Sequence, residues 1–350
     1  MDSQYYLHNA IGYQTSLKLG VKVSPDFLVV GINTEKIKDN RGEQLTEGAD
    51  EMINLIEKQV VPYIDKTYAT NGRNIYFGWQ FDAMFGLTMF NASTDLFQGY
   101  LLASGQYYSK EALNRLDEHL AKQEKSTHQF YLSLGEMERH TLDGHKVMTA
   151  IFEKHQDRGL QWEFSYFDRF STRIDHHTTP LESLTHGLAW LFADFPDLTF
   201  HSVDDIKSFG GAEAVIAYYQ NRAKKYGESS EVGEQAKFSI FRHAAQENDY
   251  PLFQHFEQVF GKLEVKGWYH FFGQFYLKNN DIARAEETYK LGVASSPENA
   301  GYWAELAQVY KIKKQKNKAI ECYQQALSLL DDTHEYYSEY QKELNALMKS

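Results

Sequence analysis

At 350 residues, and with roughly 150 residues to a domain, the chain is sized for about two domains rather than one small module. It is 42% hydrophobic, with 24 Tyr and 23 Phe, too rich in large apolar groups to be a disordered chain. Its 36 basic against 48 acidic residues leave −12, which argues against a general nucleic-acid or anionic-membrane binder, since both need a basic face. The single cysteine, Cys322, excludes an internal disulfide framework and a thiolate metal cluster. No apolar run reaches the roughly 20 residues of a membrane span, and residues 1–20 lack the basic start and apolar stretch of a signal peptide.

In chain order, Phe27–Ile32 reads as a buried strand and Asp50–Tyr63 as a helix. Asn74–Phe77 is the next strand, followed by a helix over Met84–Asn91, a strand at Phe97–Leu102 and a helix over Lys110–Glu124. Then come the strand Gln129–Leu134, the helix Gly144–Arg158 and a last strand, Leu160–Phe167. Continuous apolar strands separated by helices predict an α/β domain, a mostly parallel sheet with helices on both faces. Ligands in such sheets sit beyond the C-terminal strand ends. The domain is expected to occupy residues 1–228, and no strand pattern follows it.

Residues 229–350 read as a helical domain. From Lys266 onward, 11 basic and 11 acidic residues balance, so the acidic excess belongs to residues 1–265. A shift of 34 residues superposes Tyr269 on Trp303, Phe272 on Leu306, Gly273 on Ala307 and Tyr276 on Tyr310. It also superposes Ala285 on Ala319, Tyr289 on Tyr323 and Gly292 on Ala326, with Pro297 closing the first unit. Large residues fall where two antiparallel helices meet and small ones where their backbones approach, which is the tetratricopeptide pattern. The repeats are expected at about 266–299 and 300–333. Two repeats cannot bury a solenoid core alone, so a degenerate helix pair at Gln235–Gly261 and a capping helix at Glu335–Lys349 should flank them. Such repeats serve either as a docking surface for a protein partner or as a packing extension. The basic run Lys311–Lys318 reads as a solvated inter-helix turn, and Cys322 as a buried small apolar group.

Several stretches of residues 1–228 carry a resemblance. They are Met1-Asp2-Ser3, Phe27 to Asn33, Val60-Val61-Pro62-Tyr63-Ile64, Arg73 to Leu87, Asp175-His176-His177-Thr178-Thr179-Pro180 and Ser208 to Gly227. In order and spacing they resemble the esterase-D-like, or enterobactin-esterase-like, branch of the α/β-hydrolase serine esterases. The resemblance implies carboxylic-ester hydrolysis by a serine on a strand-to-helix elbow reading Gly-x-Ser-x-Gly-Gly, whose oxygen projects above the sheet. It also implies that His176 is the catalytic histidine and that the third triad member is Glu138 or Glu136, Glu138 being slightly favoured. The chain begins where the family's third strand ends. This implies either a shortened descendant, cytoplasmic as the sequence stands, or a true start upstream with a periplasmic or secreted destination. An exposed sheet edge or repeat end would make a homodimer plausible.

The elbow departs from the pattern. Its stretch is Gly78-Trp79-Gln80-Phe81-Asp82-Ala83, so Gln80 stands at the serine position. A carboxamide cannot form an acyl-enzyme. The Phe81 N–H still lies where one oxyanion donor belongs, so an anion site can outlast the nucleophile. Trp79, Phe81, Asp82 and Ser104 are the candidate ligand contacts. Asp82 as an alternative nucleophile sits two residues beyond the serine position, and Ser104 has no elbow. His140 with His145, or His176 with His177, lack the spacing of a zinc site, and no phosphate-binding loop or other cofactor motif is present. The expectation is therefore a hydrolase fold that binds a small acyl or ester-like ligand without serine chemistry and without a cofactor. The alternatives are an active hydrolase with a non-standard nucleophile and a non-catalytic adaptor working through its repeats.

Overall fold

The apolar runs at residues 75–79, 99–103, 129–135 and 161–167 become four parallel strands in a computed structural model. The residues it describes are 24–32, 41–92, 95–168, 174, 176–263, 265 and 267–349. By their mutual contacts the described residues form two units. One runs to Asp197 and takes in Asn221–Ser229; the other combines Leu198–Gln220 with the chain from Ser230 onward.

The first unit begins with α1 (Arg41–Thr46), α2 (Ala49–Leu55) and α3 (Val61–Thr67), the last two joined by a π-helical turn at Ile56–Val60. Then come β1 (Ile75–Trp79), α4 (Phe81–Ala92), β2 (Gly99–Ala103), α5 (Lys110–Lys122) and β3 (Gln129–Gly135). The 3₁₀ turn Glu136–Thr141 leads into α6 (Leu142–Lys154), β4 (Gln161–Phe167) and α7 (Thr179–Leu191). Strand order is β1-β2-β3-β4, all parallel, in registers such as Tyr76↔Tyr100, Tyr100↔Phe130 and Phe130↔Trp162. Strand side chains alternate between the faces. Tyr100, Leu102, Phe130 and Leu132 therefore pack under Leu87 and Phe90 of α4, Leu116 of α5 and Phe152 of α6. Leu101 and Tyr131 point the other way, onto Leu184, Leu188 and Leu191 of α7. Helices thus cover both faces, which is why these strands read as unbroken apolar runs.

The strand expected at Phe27–Ile32 does not form. Residues 25–32 have no strand pairing, and Leu28, Val29 and Val30 are 51%, 37% and 47% exposed. A strand is stabilised by a pairing neighbour rather than by its own composition. Among the described residues β1 pairs with β2 alone. Phe27 instead stacks on Phe192, with ring centroids 6.4 Å apart. Met1–Ser3, Asn33 and Asp175 of the quoted motifs lie outside the described residues.

The second unit is helical among its described residues. It holds α8 (Val203–Phe209), α10 (Glu234–Gln246) and α11 (Tyr250–Phe260), and the helix between the first two, α9 (Gly211–Tyr226), starts in it. The repeat helices α12 (Tyr269–Lys278), α13 (Ile282–Ser295), α14 (Ala300–Ile312) and α15 (Lys316–Ser328) follow, then α16 (Tyr337–Lys349). The small and large positions of the 34-residue pattern do what their sizes demand. Ala285, Ala307, Ala319 and Ala326 are fully buried, as is Tyr289, whose ring lies against Gly273; a Cβ on that glycine would come within 2.3 Å of the ring. Lys311 and Lys313 of the exposed basic run pair with Glu343 and Glu286. Cys322 is buried, and burial pushes its thiol pKa up to about 11, so it stays protonated and unreactive at neutral pH.

Candidate functional site

The C-terminal end of the sheet is where the chain makes its least comfortable turn. Gln80, between β1 and α4, has φ 56°, the left-handed region that a side chain with a Cβ rarely enters. Its N–H donates to the Ala103 carbonyl at 2.9 Å, extending the β1–β2 ladder by one bond, and its carbonyl accepts from Met84 N–H at 3.2 Å. The chain therefore reverses from strand to helix within one residue, and the side chain is presented above the sheet. Gly78 makes this possible. A Cβ there would lie 2.5 Å from the carbonyl carbon and oxygen of Asp82, so the first turn of α4 folds directly onto the strand.

The structure brings Gln80, His176 and Glu138 together. Glu138, in the 3₁₀ turn after β3, is 3% exposed, and its Oε1 takes a short hydrogen bond from His176 Nδ1. A carboxylate can only accept, so the proton of the neutral imidazole sits on Nδ1 and Nε2 carries the lone pair. Gln80 Nε2 lies 3.1 Å from that Nε2 and donates to it. The ring nitrogen with the lone pair is thus occupied by the side chain on the strand-to-helix turn. Trp79 packs its ring against His176, centroids 4.9 Å apart, and Trp79 Nε1–H is buried with no hydrogen-bond partner among the described residues. His177 lies edge-on to His176 at 5.1 Å.

The other candidates are placed differently. Glu136 faces away from the imidazole: its Oε2 accepts a short hydrogen bond from the Tyr166 hydroxyl, and its Oε1 is 3.5 Å from Arg139. Burial, reinforced by the Glu136 charge, pushes the Tyr166 pKa up. Tyr166, at the end of β4, escaped the sequence reading; its place among the last residues of a strand was the available signal. Ser104 also has a positive φ, 46°, but is fully buried, and its hydroxyl accepts from Gly135 N–H at 3.2 Å. Phe81 is exposed at the start of α4, where first-turn N–H groups lack intrahelical partners. Asp82 is half-buried in that same turn, where a negative charge suits the helix dipole. No group of three His, Cys, Asp or Glu side chains suited to a metal ion occurs among the described residues, nor is any of their helices long and apolar enough to cross a membrane. His145 is buried, its Nδ1–H donating to the Thr141 carbonyl at 3.1 Å, and burial lowers its pKa.

A strand, a left-handed turn residue and a helix, with an acid after the next strand but one and a histidine after the strand beyond it, define an α/β-hydrolase-like sheet. The chain carries this unit together with tetratricopeptide repeats. The family model described as tetratricopeptide repeat matches residues 269–299 and 300–329. No curated protein matches the chain by sequence. Among solved structures it is similar to an IroE-like serine hydrolase from Shewanella oneidensis, with 20% identity over 68% of this chain and 73% of that one and a TM-score of 0.45. It is also similar to an uncharacterised protein from Capnocytophaga ochracea, with 10% identity over 100% and 90% and a TM-score of 0.44. A third, the siderophore hydrolase EstA from Aspergillus nidulans, shows 16% identity over 49% of this chain and 64% of its own, with a TM-score of 0.33.

Proposed function

We propose that the sheet-bearing unit is a divergent member of the carboxylic-ester hydrolase family that binds an acyl or ester-like ligand and does not cleave it. The observation that carries this reading is the hydrogen bond from Gln80 to His176 Nε2. Ester hydrolysis through an acyl-enzyme needs a nucleophilic oxygen at that turn and a free imidazole lone pair to take its proton. Here a carboxamide fills the first place and blocks the second. What supports recognition is the Phe81 N–H at the exposed start of α4 and, on the other side of Gln80 in the chain, the Trp79 ring packed against His176. The repeats over residues 269–329 add a surface for a protein partner, which is the specific ground for the adaptor reading, in which the sheet unit is scaffold alone.

The deciding experiment pairs turnover with binding. Purified full-length protein is given nitrophenyl butyrate to measure hydrolysis, and methyl butyrate to measure binding through tryptophan fluorescence. Binding of methyl butyrate that is lost in Trp79→Phe, with hydrolysis no faster than buffer, is the expected result. Turnover that His176→Ala abolishes overturns the proposal in favour of an active enzyme. Absence of both binding and turnover overturns it in favour of the adaptor.

A further inference from the structure

The opposite pole of the sheet holds a second cleft, about 680 Å³ in volume, at the N-terminal ends of β3 and β4. That lies within the ~300–1,000 Å³ typical of small-molecule sites. Gln129 and Gln161 are the first residues of those strands, and β3 runs about 20 Å to the end that carries Glu138. One bound molecule of modest size therefore cannot serve both poles.

The cleft has a built polar wall. Gln129 is buried, and a buried carboxamide is tolerated only when its groups are bonded. Its Oε1 accepts from Arg73 Nη2 at 2.6 Å, and its Nε2 donates to Gln161 Oε1 at 2.8 Å. The chain of donors runs one way, from the guanidinium through two carboxamides. It ends at the Gln161 amide N–H groups, which have no protein partner among the described residues. Charge-assisted chains of this kind polarise their last donor. Two indoles, Trp162 and Trp190, supply half-buried apolar faces, and neither N–H has a hydrogen-bond partner among the described residues. Lys225 and Asp194 close the rim as a pair at 2.7 Å, with the Tyr226 hydroxyl donating to Asp194 at 2.5 Å.

We propose that this cleft binds a neutral sugar, a pyranoside of one or two rings, through its Trp162 and Trp190 faces and its Gln161, Asp194 and Lys225 polar groups. Lys225 and Asp194 neutralise each other at the rim, and Arg73, bonded to Gln129 and stacked on the Tyr226 ring, does not line the opening, which favours a neutral ligand. Gln161 and Lys225 supply donors and Asp194 acceptors, from a strand, a helix and the loop after α7, which matches hydroxyls spread about a ring better than the single hydrogen-bonding edge of a nucleobase. Indole faces match the apolar C–H face of such a ring.

The test titrates the full chain with maltose, cellobiose and chitobiose, following tryptophan fluorescence and saturation-transfer NMR. A saturable response to at least one, weakened tenfold or more by Gln161→Ala and by Trp190→Ala, is expected. Gln161 is exposed, so its variant keeps the test valid should Trp190→Ala fail to fold. No saturable response to any of the three overturns the proposal, as does a response unchanged in Gln161→Ala. Tighter binding of glucuronate, glucosamine or adenosine than of every neutral disaccharide overturns it too.

Discussion

Replacing Gln80 by serine places a hydroxyl on the left-handed strand-to-helix turn, but not at the distance catalysis needs. A serine oxygen falls near the position of the glutamine Cγ, and amide bond lengths put Cγ about 2.4 Å from Nε2. Since Nε2 is 3.1 Å from His176 Nε2, the new hydroxyl starts up to about 5.5 Å from its base. An O–H···N bond of about 2.8 Å therefore requires the imidazole to advance by 2–3 Å, or roughly one bond rotation. Glu138 and Trp79 both hold it back. General-base assistance is worth about 10²–10⁴ in rate, some 2.7–5.4 kcal/mol. Gln80→Ser should thus gain nitrophenyl-ester hydrolysis within that range above wild type, and Gln80→Ser/His176→Ala should lose all of it. In the wild-type background His176→Ala should change nothing. Steady-state kinetics on the four proteins, with burst amplitude to detect an acyl-enzyme, measures the coupling. A rate drop on His176→Ala in the wild type, or equal rates for the single and double serine variants, would refute the assignment of Gln80 as the block on a base that is otherwise in place.

Gly78→Ala should lower the melting temperature sharply, because the new methyl meets helix backbone at 2.5 Å and no rotamer relieves it; overpacking of this kind costs about 1–3 kcal/mol or more. Tyr289→Phe should instead stabilise the repeat unit by about 1 kcal/mol, since it removes a buried hydroxyl with no partner among the described residues; chemical denaturation of the pair decides the sign. Burial, the largest influence, raises the Glu305 pKa against the lowering pull of His270 and Gln274. Its contribution to stability is therefore complete below the unfolded value near 4.5 and lost as pH rises through the higher folded value, so Glu305→Gln should flatten the fall in thermal stability above that point. His176→Ala leaves the buried Glu138 carboxylate without the imidazole's hydrogen bond and should cost about 1–3 kcal/mol, most of it recovered by adding Glu138→Gln; calorimetry of the three variants tests this.

The repeats were legible because their signal is local and arithmetic. A single offset aligns residues whose sizes are fixed by two helices meeting, so Gly273 with Ala307 and Tyr289 with Tyr323 suffice to place them. Strands β2 and β3 were legible for a related reason, since both faces are covered and every residue is buried. Phe27–Ile32 has the same composition and fails as a strand. Composition reports that a segment could be buried, whereas pairing depends on what another part of the chain does. The elbow was visible as a motif, but the sequence could not show that Gln80 reaches the imidazole, because that contact depends on the direction of two side chains 96 residues apart. Glu138 was only slightly favoured over Glu136 in sequence. A 3₁₀ turn separates them, aiming one at His176 and the other at Tyr166. The cleft near Trp190 carried no motif at all, since Gln129, Gln161 and Lys225 come from three separate elements.

The arrangement at the C-terminal end of the sheet also costs more than a plain strand-to-helix junction requires. Gln80 in the left-handed region costs about 1–2 kcal/mol, and a glycine inside β1 weakens the strand. Glu138 Oε2 is buried without a hydrogen bond among the described residues, a further 1–3 kcal/mol or so. Against a typical net stability of about 5–15 kcal/mol these are substantial charges on one small region. The Glu138–His176 pair, once present, is retained because removing either partner leaves the other without its hydrogen bond. That explanation does not extend to Gln80. An asparagine or glycine would hold the same turn with less strain, and neither would reach His176 Nε2. The length of the glutamine side chain therefore serves the contact, and the contact fixes the imidazole in one tautomer and one orientation. An imidazole held between Gln80 and Glu138 has no free proton acceptor to offer a reaction, while the first-turn N–H groups of α4 remain to meet an oxygen of a ligand, which is why binding without turnover is the reading that the geometry supports best.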